Sequence, residues 1–546
     1  MNGPEEAIRF DYDVLVVGAG PVGLSLAVEL GLRNIRALVI EQNDRTGYQP
    51  RAKTTNVRSM EHMRRWGIAE AIRKAAPLPA DYPYNIAFKT RLFGEKIALI
   101  ENAFYGDRNV RNALFSEPAQ WIPQYKVEEV LRQRAESLPS IELRFGCRFE
   151  TLRESADDVT ASIVDIASGK SAELRVRYVV GADGARSAVR RLIGAEMQGR
   201  HAMAQHVGLV IRAPELREAM ERDPAIMYWL VNRDTAAIAS PMDKGDLWAF
   251  GYSVGAGDTV DEAESQRRIA AAFGRPVVAE ILSTDCWSAH SLIADHYGAS
   301  RVFLIGDSCH LHPPFGGYGM NLGIADAVDL GWKLAATLHS WGGEKLLASY
   351  EIERRPVHRR VIEEAAANHS VLPQHLVTSD LESAGPDGDA ARLRLGDRIH
   401  GEKSREFHTL GVVLGYAYSG SPLVVPDASV PPPEHHTTYT PSAHPGCLAP
   451  HLWLEDGRSL YDLFGPEYTL LATRAGAEDD AERLAVAAHA RRMPLKVARP
   501  EADGLADLYG ARFALIRPDQ HVAWRGDRLE RDAGEILDIA RGANLG

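Results

Sequence analysis

One stretch constrains the chain more than any other. It begins with the apolar run Val302-Phe303-Leu304-Ile305 and turns at Gly306-Asp307-Ser308-Cys309-His310. It then runs through Leu311-His312-Pro313-Pro314-Phe315-Gly316-Gly317-Tyr318-Gly319-Met320-Asn321. A short apolar run closed by glycine is the pattern of a strand covered on both faces. Gly306-Asp307 puts a carboxylate at the strand's carboxyl end, where open α/β sheets hold ligands. The glycine-rich loop lets backbone approach a flat ligand. An amphipathic helix, expected from about Asn321 to Leu338, then presents free N–H groups to a partly negative atom.

A second such unit opens the chain. Tyr12-Asp13-Val14-Leu15-Val16-Val17 reads as a buried strand. Gly18-Ala19-Gly20-Pro21-Val22-Gly23 follows, then a helix through Leu24 to Leu32, then a strand Ala37-Leu38-Val39-Ile40 ending on Glu41. This is G-x-G-x-x-G between a strand and a helix, with an acid 18 residues past the last glycine. Gly18, Gly20 and Gly23 allow a pyrophosphate to approach the helix start, and Glu41 accepts ribose hydroxyls. The motif alone leaves NAD and FAD both open.

The later stretch resembles the second FAD fingerprint of the class A flavoprotein aromatic hydroxylases. Gly306-Asp307, His310, Pro313-Pro314, Gly316-Gly317, Gly319, Asn321, Gly323, Asp326-Ala327, Leu330 and Trp332-Lys333-Leu334 fall on it. Ser308-Cys309 replaces Ala-Ala and Asp329 replaces Asn. Other blocks resemble the same family in order: Pro50-Arg51-Ala52 with Arg58 and Trp66-Gly67, the helix carrying Gln124, Glu128 and Leu131, and Gly181-Ala182-Asp183-Gly184 after a strand. The resemblance implies that Arg51 lies near the flavin and its phosphates, that Gln124 touches the cofactor, and that Asp183 serves FAD and nicotinamide nucleotide binding. It also implies that Gly306, Asp307, Gly319, Met320 and Asn321 bind FAD, with Pro313 against the ring. Pro441-Ser442-Ala443, Pro445-Gly446, Ala449-Pro450-His451 and the segment from Ile516 to Arg525 resemble the thioredoxin-like tail of phenol and polyketide hydroxylases. No C-x-x-C exists there, so dithiol exchange is excluded.

The expected fold is α/β: a Rossmann-type FAD-binding domain with an inserted α+β substrate domain and a C-terminal thioredoxin-like domain. The FAD-binding part is expected at 1–80, 119–195 and 290–375 and the substrate part at 81–118 and 196–289. A helical connector is expected at 376–430 and the tail domain at 431–546. Residues 82–118 have no clear period, whereas 202–290 alternate as antiparallel strands do. Tyr228, Trp229, Met242, Trp248 and Phe250 are candidates for pocket lining or, more simply, for core.

Sixty-two basic and 74 acidic residues give a net charge of −12, which argues against nucleic acid or an anionic membrane as partner. Cys147, Cys286, Cys309 and Cys447 have no zinc spacing, and no metal is expected. Unpaired thiols, a polar N-terminus and the lack of a long apolar run fit a cytoplasmic protein. A homodimer is the expected assembly.

The resemblance implies a single-component monooxygenase that uses NADPH or NADH as co-substrate. Reduced FAD reacts with O2 to give a C4a-hydroperoxide, which delivers one oxygen to a phenolic aromatic substrate. Related outcomes are oxidative decarboxylation, denitration or drug inactivation, and a flavin-binding scaffold without turnover is the remaining alternative. A phenol with pKa near ~10 needs a base or cation beside its hydroxyl at neutral pH. Lys53, His310, His312, His290 and Tyr228 are the candidates, with no general base assigned.

Overall fold

The computed structural model describes residues 9–43, 52–108, 111–255, 258, 260–476 and 478–543. Val14, Leu15 and Val16 are wholly buried, as a strand covered on both faces requires. The strand Tyr12–Val17 pairs in parallel with Ala37–Glu41 on one side and Ser171–Gly181 on the other. Val302–Leu304 extends the sheet beyond Ser171–Gly181, and Ile141–Phe145 extends it beyond Ala37–Glu41. Helices Pro21–Gly31 and Gly319–Leu338 pack on each other over this sheet. The second helix begins two residues before its expected start, so the free N–H groups lie within the glycine loop itself.

A second sheet of eight strands stands beside the first. Its longest strands are Met197–Arg212 and Glu280–Ala294, neighbours near one edge and antiparallel over most of their length. The segment without a clear period contributes Ile86–Lys89 and Lys96–Ile100 to one edge. There Ile86–Lys89 runs parallel to Met227–Leu230. At the opposite edge His310 and Leu311 pair with Ile293 and Leu292. The flavin-type loop is therefore stitched into both sheets: its strand lies in one and its next residues in the other.

The tail forms a four-stranded sheet in the order Leu495–Ala498, Tyr468–Ala472, Phe513–Ile516, Val522–Gly526. The first pair is parallel and the other two are antiparallel, which is the thioredoxin arrangement. No described helix is long and apolar enough to cross a membrane.

The tail docks on the rest of the molecule through buried charge. Arg517 Nη1 reaches Glu353 Oε1 at 2.5 Å, and Nη2 reaches Asp519 at 2.7 Å and Asp329 at 3.2 Å. Lys333 Nζ lies 2.7 Å from Asp329 and 2.5 Å from Glu353. Arg58 donates to the Asp519 carbonyl and the Gln520 side chain, both at 2.6 Å. All these side chains are buried. Arg517 and His521 hold Asp519 well below the usual carboxylate range, although burial opposes it. Burial, with Glu353 alongside, pushes Asp329 above that range.

These shifts set opposite pH limbs. A depressed carboxyl contributes stability that is present above its unfolded value, near ~4, and is lost as pH falls through its lower folded value. Asp329 contributes stability that is full below the unfolded value and is lost as pH rises towards its higher folded value. Stability from these groups should therefore peak at about pH 4–5 and decline towards neutrality. Asp329→Asn should flatten that decline in thermal unfolding followed across pH; an unchanged slope would count against this account.

Candidate functional site

At the first glycine turn the chain leaves no room for side chains. Gly18 has φ +108°, and a Cβ there would lie 2.3 Å from the Ala182 carbonyl oxygen. A Cβ on Gly23 would lie 2.0 Å from the Gly18 carbonyl oxygen, because helix and strand cross in contact. Gly20 differs: a Cβ there meets nothing within 4 Å among the described residues. The helix behind it starts with Pro21 and has no side-chain cap, so no side chain takes up its first N–H groups. Glu41 is fixed at the neighbouring strand end. Its Oε2 accepts from Ala19 N at 3.1 Å and its Oε1 from Asn43 Nδ2 at 2.7 Å. Open volume over a glycine, unpaired donors at a helix start and an acid on the next strand fit a dinucleotide pyrophosphate and its ribose.

The second turn lies alongside. Gly306 N donates to Asp326 Oδ2 at 3.1 Å. Asp326 is a hub: His310 Nε2 lies 3.0 Å from the same oxygen, and Arg354 Nε and His358 Nε2 lie 2.8 Å from Oδ1. Burial alone would raise this carboxyl, but His358 and Arg354 hold it well below its usual range. Cys309, His310 and Asp326 come close enough to suggest a metal cluster. Both Asp326 oxygens are already engaged, however, one of them by a guanidinium, so the geometry is that of a hydrogen-bond hub. Asp307 is exposed at the strand end. Asn321, near the start of the following helix, accepts from Asn56 N at 2.9 Å and donates to Thr54 O at 2.9 Å and Gly317 O at 2.7 Å. It locks the segment around residue 54 onto the glycine loop.

Comparison with known proteins decides what this pair of turns belongs to. A model described as FAD binding domain matches residues 11–365, and one described as aromatic-ring hydroxylase, C-terminal, matches residues 442–543. The chain belongs to the FAD-dependent aromatic-ring hydroxylases. It is 31% identical to an FAD-dependent monooxygenase of Emericella nidulans, over 99% of this chain and 92% of that one. It is also 31% identical to aklavinone 12-hydroxylase of Streptomyces purpurascens, over 97% and 98% of the two chains. The solved structure of the rebeccamycin biosynthetic enzyme RebC with reduced flavin is 35% identical, with a TM-score of 0.89 over 98% of this chain and 99% of that one. FAD is the cofactor of this hydroxylase family, and the two turns are where the residues suit it.

Of the residues expected to react in this hydroxylase, Tyr228 and His310 are committed elsewhere, and those expected to bind have the following surroundings. Tyr228 is wholly buried, and its hydroxyl donates to the Asp223 carbonyl at 2.9 Å. Burial raises its pKa far above that of a free phenol, so it is a core residue and not a reactive one. His310 is likewise enclosed, with Nε2 on Asp326; it supports the turn instead of facing a substrate. Trp229, Met242, Trp248 and Phe250 are all core. His290 accepts from Ala202 N at 3.2 Å on a half-buried strand. Gln124 Nε2 donates to Glu128 at 2.7 Å, and its backbone N to the Ala52 carbonyl at 2.9 Å. Asp183 accepts from Ala188 N at 2.6 Å and Val189 N at 3.2 Å, so its carboxylate caps the Ala188–Leu192 helix. Pro313 and Met320 are buried, Gly319 is half-buried, and Arg51 lies outside the described residues.

Lys53 and His312 form the remaining pair. Each keeps accessible surface, yet burial lowers Lys53 to about 8 and His312 to about 4. Lys53 lies one residue before Thr54, the residue that Asn321 ties to the loop, and no acid among the described residues offsets its desolvation. Sequence reasoning missed the Asp326–Arg354–His358 hub and the clamp through Asn56. Asp326 lies inside the fingerprint, but nothing local reveals partners 28 and 32 residues away.

Proposed function

We propose that this hydroxylase is a single-component monooxygenase. It uses NADH or NADPH and O2 to place one oxygen atom on an electron-rich ring of a phenolic, fused-ring substrate. When bound, FAD would supply the reduction of O2 and the activation of one of its two oxygen atoms for transfer, the other leaving as water. The chain's own tasks are to bind, orient and desolvate. Gly18, Gly20, Gly23 and the Pro21–Gly31 helix start cradle the pyrophosphate, and Glu41 takes the ribose. Asp307 and Asn321 with the Gly319–Leu338 helix start hold the other end, and Pro313 lies against the ring.

The observation that carries this reading is Lys53, an amine set beside the glycine loop whose desolvation no described acid offsets. A desolvated cation favours the ionised form of a nearby phenol, which is the electron-rich form that accepts oxygen. The aklavinone named for one relative supports a fused-ring substrate. Free cysteines support residence in the cytoplasm, and a homodimer is the proposed assembly.

The test is NADH and NADPH oxidation by the FAD-loaded protein with a panel of simple and fused-ring phenols, with products identified by mass. A ligand that accelerates oxidation many-fold and gains one oxygen supports the reading. Nicotinamide oxidation that no phenol stimulates rejects it. Lys53→Met should lower kcat/KM by about 10–100-fold, the range of one charge-assisted contact. It should also move the alkaline optimum towards the substrate's own pKa, with FAD content unchanged. A second reading keeps the site but removes a ring substituent oxidatively. The likeness to RebC, which bears a biosynthetic rather than a hydroxylase name, favours keeping it, and the product mass separates the two.

A further inference from the structure

One strand of the second sheet lacks a neighbour along most of one side. In that sheet Glu280–Ala294 stands between Met197–Arg212 and His310–Leu311. The first of these pairs with it from end to end. The second reaches only Leu292 and Ile293, and beyond them no described strand lies beside it on that side. The opposite edge of the sheet is closed. There the helix Pro386–Phe407 lies on Lys96–Ile100 so closely that a Cβ on Gly396 would stand 2.8 Å from the Ile97 carbonyl oxygen.

An open edge presents a row of backbone donors and acceptors, and chains ordinarily guard it with Lys, Pro or a bulge. Here the register shifts lie outside Ser283 and Ala289, which pair with Val210 and Ala204 and bound a regular ladder. Ser283-Thr284-Asp285-Cys286-Trp287-Ser288-Ala289 has no Lys, Arg, Pro or Gly, and Asp285 is its one charge. Thr284 and Cys286 are exposed, while Ser283, Asp285 and Trp287, on the other face, are half-buried. The midpoint of the run is Cys286. A two-fold axis there is the antiparallel register that uses the whole run. It sets Thr284 across from the partner's Ser288 and Asp285 across from the partner's Trp287, so no charge meets its like. An axis at Asp285 would instead set two carboxylates face to face. About Cys286 the strand is complementary to itself.

We propose that 283–289 is where a second copy of this chain docks, strand against strand about an axis through Cys286, joining the two eight-stranded sheets into one. The proposal rests on the homodimer reading of the assembly and names its surface. The docking run is continuous with Leu292 and Ile293, which pair with the start of the flavin loop. Each copy's contact therefore lies on the strand that holds its own loop. So short a strand pair is small beside the roughly 1,600 Å² of a standard interface, so dimer and monomer should exchange.

The test uses the FAD-loaded full chain. Light scattering of the wild type should give a mass that rises with concentration from that of one chain, 59.9 kDa, towards twice that. Cys286→Lys and Cys286→Asp set like charges opposite each other at the axis, so each should stay monomeric, with FAD content unchanged. Mixed in equal amounts they should dimerise again, which a folding defect would not give. Residues directly opposite in an antiparallel pair have Cα atoms about 4.5–5.5 Å apart, within disulfide reach of about 4.4–6.8 Å. Diamide should therefore oxidise the two Cys286 thiols of a wild-type dimer to a disulfide, and Cys286→Ser should dimerise without cross-linking. A wild-type dimer that persists in both charged variants overturns this edge as the surface and leaves the homodimer reading standing. Charged variants that stay apart when mixed overturn it as well. A wild type that is monomeric at every concentration overturns both readings.

Discussion

Arg517→Met should loosen the tail from the rest of the protein and cost about 3–5 kcal/mol, the penalty for breaking a buried ionic network on one side only. The wild-type network sets Arg517 and Lys333 against Glu353, Asp329 and Asp519, with Ser421 also donating to Glu353. Removing the guanidinium leaves three enclosed carboxyls to one ammonium. Arg517→Lys should rescue little, since one amine cannot serve Glu353 through two nitrogens while also meeting Asp519. The expected readouts are an earlier urea transition and faster proteolysis between the tail and the rest of the protein. A methionine variant with the wild-type transition and cleavage pattern would show the network to be a bystander.

The second large effect separates folding from cofactor binding. Gly23→Ala should fold poorly and bind little FAD, because its Cβ would stand 2.0 Å from the Gly18 carbonyl oxygen. Helix and strand would have to part, at a cost of about 1–3 kcal/mol for an overpacked contact, or roughly 10–100-fold in any affinity that depends on that contact. Gly20→Ala should behave differently. Its Cβ meets nothing within 4 Å among the described residues, so the apoprotein should melt like the wild type while FAD affinity falls, since the methyl enters the volume kept for pyrophosphate. The flavin-to-protein absorbance ratio and the melting of the apo form measure both quantities. Equal FAD content in Gly20→Ala and wild type would falsify the placement of the pyrophosphate.

The two glycine turns were legible in the sequence because their signals are local. Strand, turn and helix follow one another within some twenty residues, and the required acid stands at the next strand's end. The thioredoxin-like tail was readable through its resemblance to the tails of phenol and polyketide hydroxylases. The edge strands Ile86–Lys89 and Lys96–Ile100 were not, being short, interrupted by a register shift and completed by a partner more than a hundred residues later. Tyr228 and His310 illustrate another limit. Both residue types can perform acid–base chemistry, and only the placement of Asp223 and Asp326 shows that their polar atoms are already committed. The open edge at 283–289 left no trace, since a sequence shows a strand's alternation and not which of its sides lacks a neighbour.

The contact between Arg58 and the tail has a consequence for how the protein is made. Arg58 is the second residue of the Val57–Arg65 helix, whose capping residue Asn56 also grips Asn321 in the flavin loop. Arg58 pairs with Glu61 in its own helix and with Asp519 and Gln520, more than 450 residues further along the chain. The helix that grips the flavin loop is therefore anchored by a segment made long after it. A nascent polypeptide can form its first glycine turn early, but the helix that grips the second waits for residues 519 and 520. Flavin capture then follows synthesis of that segment, and a message truncated before codon 517 should yield a colourless protein.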